Sequence, residues 1–227
     1  MSTNTANIAV NSRKKNFKNA TDKEHLRGGH FLVGKTNPAD VFIAEEFEEE
    51  QLMIKEMVID FCIKNVQEPF FNRGRELEII RPEDRDEIIG NFNKAGELGL
   101  CGVSIPEQYG GMGLDFNTGV LFSEAIAAGF SFATTIGAQT SIGSLPIVYY
   151  GNEAQKQKYL VPGIKGEKVG CLAITEPFGG SDVQAIRTTA VREGDYYIVN
   201  GSKTFITNGV LSDFLIVVCK TDQTAKG

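Results

Sequence analysis

The spacing of apolar residues changes once along this chain, near Pro162, from a helical repeat to a strand repeat. A period of 3.6 and a period of 2 cannot be satisfied by one element, so the switch divides the chain into helices followed by strands. Segregation rather than alternation argues for an α+β fold, since alternating βαβ units would build a parallel sheet. The predicted organisation is a tail over 1–41, mostly disordered, a helical domain over 42–165 and a partial β-domain over 166–227.

On the helical side, Ile54, Met57, Val58, Phe61, Cys62 and Val66 form one apolar stripe between Glu45 and about Gln67, and Pro69 is expected to end that helix. A second helix is expected to start at Pro82 and stop near Gly99, burying Ile88, Ile89, Phe92 and Ala95. The glycine-crowded stretch GLCGVSIPEQYGGMG, 99–113, reads as a loop, after which Asp115 or Thr118 caps a third helix through Ala128. No charged residue lies between Ala125 and Asn152, yet Thr134, Thr135, Gln139, Thr140, Ser141 and Ser144 interrupt the run and Gly137, Gly143 and Pro146 break it. That pattern argues against a transmembrane span and predicts a buried helix whose hydroxyls need partners. Asn152 is then expected to cap a short helix through Tyr159.

Beyond Pro162, strands are predicted at Val169–Thr175, Ile186–Arg192, Tyr196–Val199, Thr204–Thr207 and Phe214–Cys219, joined antiparallel by EGD, NGS and NGV turns.

Several function classes drop out. A net charge of -6 offers no footprint for nucleic acid, which needs clustered Lys and Arg. Cys62, Cys101, Cys171 and Cys219 are far apart with no CxxC pair, and His25 and His30 are the only histidines, so neither a metal site nor a disulfide framework is expected. Arg13, Lys14, Lys15 and Lys18 precede no apolar core, which excludes a secretory signal and favours a disordered tail over a transit peptide.

Two glycine-bearing stretches carry candidate chemistry. AITEPFGGSD, 173–182, leaves an apolar run directly into a bend whose glycines permit close ligand approach, with hydroxyls at Thr175 and Ser181. Glu176 and Asp182 suit capping of nearby backbone, and a well-made turn without a ligand explains the same composition. NGSKTFITNG, 200–209, sets Phe205 and Thr207 two residues apart, on one face if the segment is a strand. Neither stretch fits GxGxxG or GxxxxGK, so no Rossmann or Walker cradle is offered.

PEQYGGMGLD, AITEPFGGSD and NGSKTFITNG, in that order after amphipathic helices, resemble the acyl-CoA dehydrogenase family of flavoenzymes. The resemblance runs from about Phe42 to the end of the chain, and RGGHFLVGKTNPADVFIAEEF adds a weaker match to long-chain-type bacterial members. It implies a helical domain, a middle β-domain and a C-terminal four-helix domain, with FAD bound between the last two. Leu172, Ala173, Ile174, Thr175, Gly180 and Ser181 would then line the flavin, while Phe205, Ile206 and Thr207 would stack on its ring and meet its N5 edge. Phe205 stands where many relatives carry Trp. Gln139, Thr140 and Ser181 would contact the acyl-CoA substrate, and Gly143, one turn from Gln139, would deepen the pocket for a medium- to long-chain acyl group. The family's proton-abstracting glutamate belongs to the C-terminal domain, expected beyond Gly227, so no acid here is assigned as base and the chain alone is expected to be inactive. The implied setting is a cytoplasmic homo-oligomer of fatty-acid oxidation that passes electrons to an electron-transfer flavoprotein. The alternatives are an acyl-CoA oxidase or flavin monooxygenase of the same fold, or a non-catalytic structural or binding fragment.

Overall fold

The computed structural model describes residues 29–72, 82–222 and 224 of the chain, which divides into the compact units Met1–Glu48 and Glu49–Gly227. His25 and the basic residues before it lie outside the described residues. In the first unit a single helical turn, α1 (His30–Val33), precedes 3-10 turns at Pro38–Asp40 and Ala44–Glu46. Asn37 caps the former by accepting the Ala39 N–H, and Phe42 and Phe47 meet edge to face at 5.1 Å.

The second unit opens with α2 (Glu49–Cys62), a π-turn (Ile63–Gln67) and α3 (Glu68–Asn72). The stripe faces inward as expected: Val58, Phe61 and Cys62 are buried, with Ile54, Met57 and Val66 packed around them. Pro69 does not end the helix. The widened turn before it re-registers the hydrogen-bond ladder, so the missing N–H falls in the first turn of α3, where it costs little.

Helix α4 (Pro82–Glu97) starts at its proline and ends before Gly99, which is left-handed at φ 76°. Gly96 lies so close to the Lys165 carbonyl that no β-carbon fits between them, which lets α4 dock directly on the 165–166 turn. Asp115 caps α5 (Phe116–Ile126) by accepting both the N–H and the hydroxyl of Thr118, each at 3.0 Å.

The uncharged run folds as α6 (Ser131–Ala138), a π-turn (Gln139–Gly143) and α7 (Leu145–Tyr150), too broken to form one long helix. Among the described residues no helix is long and apolar enough to cross a membrane. Asn152 and Gln155 cap each other reciprocally at the start of α8 (Glu153–Gln155), and the helix continues past the expected stop at Tyr159, through a π-turn into α9 (Val161–Ile164). Phe61, Phe92, Phe122, Phe132, Ile136 and Val169 anchor the main core, and Ile105, Ile147, Leu160 and Ile164 a second cluster.

The strands are β1 (Gly170–Ala173), β2 (Thr189–Glu193), β3 (Tyr196–Asn200) and β4 (Phe214–Val217). Strands β2 and β3 form the expected antiparallel hairpin. The antiparallel expectation fails for β1 and β4, which pair in parallel from Gly170 with Phe214 to Ala173 with Val217. The long connection between them brings the chain back in the same direction, as parallel pairing requires. The predicted strand at Thr204–Thr207 is absent: Phe205 at φ 55° and Asn208 at φ 67° are left-handed, incompatible with an extended ladder.

Candidate functional site

Strand β1 delivers the chain into the 174–182 bend, and that bend is joined to the 203–208 loop through the backbone. The Thr204 N–H donates to the Thr175 carbonyl at 2.9 Å. Thr207 is three residues further on, within roughly 10 Å of extended chain, so Thr175 and Thr207 border one region rather than opposite sides. Leu172, Ile174 and Ile206 are half-buried, Ala173 is buried, and Gly180, Ser181, Phe205 and Thr207 are exposed. Gly180 sits against Thr175, whose methyl carbon would lie 3.8 Å from a β-carbon placed there.

Glu176 is the hub of this assembly and is only 6% exposed. Its carboxylate accepts the Lys203 ammonium at 2.8 Å, the Thr188 hydroxyl, the Arg187 N–H at 2.6 Å and the Thr188 N–H at 2.9 Å. The Lys203 ammonium also donates to the Ile174 carbonyl at 3.0 Å. The Lys203 ammonium, then the Thr188 hydroxyl and the Arg187 N–H, hold the Glu176 carboxyl well below the usual carboxylate range. The structural role read for Glu176 from the sequence therefore stands, and its oxygens are engaged too fully for proton abstraction. Lys203, Thr188 and Arg187 were missed as its partners. A lone lysine in a loop carries no signal of which distant acid it meets.

Among the described residues of the second unit Phe205 is the most exposed large apolar side chain, at 91%, and is held at φ 55°. A bulky residue pays for that conformation, of order 1–3 kcal/mol, only where its surroundings impose it, and such positions cluster at ligand sites. Among the described residues the hydroxyls of Thr175, Ser181 and Thr207 have no protein partner. Those of Thr188 and Ser144, by contrast, are bonded internally, to Glu176 and to the Gln139 carbonyl. An exposed ring beside unengaged hydroxyls and a glycine-bearing bend forms a surface suited to a planar, polar-edged ligand.

Gln139 is placed differently from expectation. It is fully buried, and its amide donates to the Gly163 carbonyl at 3.2 Å and the Lys168 carbonyl at 3.3 Å while its oxygen accepts the Gly170 N–H at 2.6 Å. The side chain thus joins the π-turn to the start of β1. Gly143 also faces packing rather than open space: a β-carbon there would lie 3.1 Å from the Gly170 carbonyl carbon. Its glycine reports close contact with β1, not pocket depth. Thr140 does line a cavity, of about 390 Å³, walled by Phe122, Ile126, Ala133, Thr134 and Gly137. A β-carbon on Gly137 would meet nothing within 4 Å. The cavity's α6 wall abuts the 203–208 loop, because the Thr135 carbonyl accepts the Asn208 side-chain amide at 2.9 Å.

Residues 48–167 match the acyl-CoA dehydrogenase N-terminal domain, and residues 171–227 match the middle domain. A probable acyl-CoA dehydrogenase of Bacillus subtilis is 38% identical over 199 residues, covering 86% of this chain and 32% of that protein. The mitochondrial isovaleryl-CoA dehydrogenase of Bos taurus is 38% identical over 182 residues, covering 78% of this chain and 40% of that protein. The crystal structure of an acyl-CoA dehydrogenase complexed with FAD from Bacillus anthracis superposes with a TM-score of 0.76 at 39% identity, covering 86% of this chain and 33% of that one. The chain spans less than half the length of these relatives.

Proposed function

The chain belongs to the acyl-CoA dehydrogenase family, and from that premise we propose that it supplies flavin and acyl-chain contacts for the FAD-dependent α,β-dehydrogenation of an acyl-CoA thioester. The observation that carries this reading is the Thr204 to Thr175 hydrogen bond, which sets the 174–182 bend beside an exposed Phe205 in left-handed conformation. When bound, FAD supplies the acceptor for the hydride that leaves the acyl β-carbon.

The residues fit such a group. Phe205 offers a ring face for stacking, and the hydroxyls of Thr175, Ser181 and Thr207 offer donors to the polar edge of a planar heterocycle. Leu172, Ala173, Ile174, Gly180 and Ile206 complete the wall. Glu176, through Lys203, Thr188 and Arg187, fixes the loops in register, so their alignment is established before ligand arrives. The acyl chain takes the cavity between α5 and α6, with Thr140 at its wall and Ser181 toward the thioester. Gly137 rather than Gly143 sets the room available, and its open side favours medium to longer chains over the shortest. Gln139 supports this wall without touching substrate. The same reading carries a cytoplasmic homo-oligomer in fatty-acid oxidation, with an electron-transfer flavoprotein as acceptor. It assigns the domains as a tail over 1–41, helices over 42–165 and flavin-contacting loops over 166–227.

Because the chain has no tryptophan, Phe205→Trp installs a single emitter at the stacking position. Titrating FAD into this variant is expected to quench its emission saturably. Quenching that rises linearly and equals that of free tryptophan amide would remove the flavin assignment.

A further inference from the structure

Gly170, the first residue of β1, is gripped on both backbone groups by buried side-chain amides. Its N–H donates to the Gln139 amide oxygen at 2.6 Å, and its carbonyl accepts from the Asn208 amide nitrogen at 3.4 Å. The same Asn208 nitrogen donates to the Thr135 carbonyl of α6 at 2.9 Å. We propose that Asn208 is a positioning residue: with Gln139 it clamps Gly170, and so locks the 203–208 loop, which bonds to the Thr175 bend through Thr204, to β1 and α6 in one frame.

The choice of residue at 208 supports this. Asn208 sits at φ 67°, a conformation that glycine adopts freely and asparagine only tolerates. It is also 7% exposed, and its amide oxygen is buried without a partner among the described residues. Flipping the amide would set that oxygen against two carbonyl oxygens, so the orientation is fixed by what the nitrogen donates to. Glycine would avoid both the backbone strain and the orphaned acceptor. What asparagine adds is the pair of donor bonds, one to each element the loop must be registered against. The loop's own bonds, Gly209 N–H to the Ile206 carbonyl and Leu211 N–H to the Asn208 carbonyl, each 2.9 Å, then carry that anchor to Phe205 on one side and Leu211 on the other.

The clamp consists of hydrogen bonds within the chain itself, while its purpose rests on the flavin reading above. Amide hydrogen exchange on the 227-residue chain tests it with Asn208→Gly, which relieves the backbone but removes both donors, and Asn208→Asp, which keeps the shape and removes them. Both are expected to speed exchange at Thr204, Gly209 and Leu211 by about tenfold, in line with losing two ordinary hydrogen bonds, while α4 and α5 exchange as before. Wild-type protection in Asn208→Gly would overturn the clamp, since conformation alone would then suffice. Equal acceleration in the core helices would overturn it too, making Asn208 a general stabiliser. With the Phe205→Trp emitter added, Asn208→Gly should lower emission anisotropy without ligand and weaken FAD quenching at least as far as exchange is accelerated. An emitter that FAD never quenches, in a chain whose exchange responds as described, sinks the flavin reading and leaves the clamp standing.

Discussion

Replacing Gln139 by leucine separates a structural role for this side chain from a substrate-binding one. Leucine has nearly the same volume, so no cavity opens, but the Gly170 N–H and the Gly163 and Lys168 carbonyls all lose their partner. A buried backbone group left unsatisfied costs about 1–3 kcal/mol. The short bond to the Gly170 N–H belongs at the upper part of that range, and the two longer bonds to carbonyls belong below it. Against this, leucine regains about 1 kcal/mol through apolar burial. The net expectation is a loss of about 2–4 kcal/mol, and at about 2–4 °C per kcal/mol for a unit of this size the midpoint falls by roughly 5–15 °C. Thermal melts and urea titrations of both proteins measure this, and the urea slope should not change, because the same surface is exposed on unfolding. A variant within about 0.5 kcal/mol of wild type that nonetheless binds acyl-CoA more weakly would refute the reasoning and return Gln139 to the pocket wall.

Glu176→Gln removes the countercharge of Lys203 and turns an amide toward the Arg187 and Thr188 donors. Because the folded-state pKa of Glu176 is depressed, its contribution is complete above the unfolded value of about 4.3 and is lost as pH falls below it. The stability gap between wild type and Glu176→Gln, followed by urea titration, should therefore be constant from pH 7 to 5 and close toward pH 2. Gly137→Ala places a methyl in open space on α6 and should stabilise by about 0.5–1 kcal/mol through helix propensity. Gly137→Leu, by calorimetric titration, should weaken binding of long acyl-CoA thioesters while sparing short ones.

Local chemistry was legible in the sequence and non-local chemistry was not. The α2 stripe, the proline start of α4 and the Asp115 and Asn152 caps follow from residues within one or two turns of each other. The π-turn at Gln139–Gly143 obeys no such rule, and its first residue, Gln139, reaches across to Gly163 and Gly170. Phe205 and Thr207 alternate like strand residues, and only the left-handed backbone at Phe205 and Asn208 shows them to be loop. The site bend itself was recognisable, because glycines after an apolar run mark a strand exit. Its hub was not, because the Glu176 to Lys203 pairing joins residues that nothing in the sequence brings together.

The parallel pairing of β1 with β4 also fixes an order of events during synthesis. The helices before Pro162 close mostly among themselves and can consolidate as soon as they leave the ribosome. The nascent Glu176 region must wait, its carboxylate facing solvent, until Lys203 emerges, and β1 keeps a bare edge until Phe214–Val217 arrives. The bend is thus completed only after the 203–217 stretch is made, although its own residues are synthesised well before the partners that hold it.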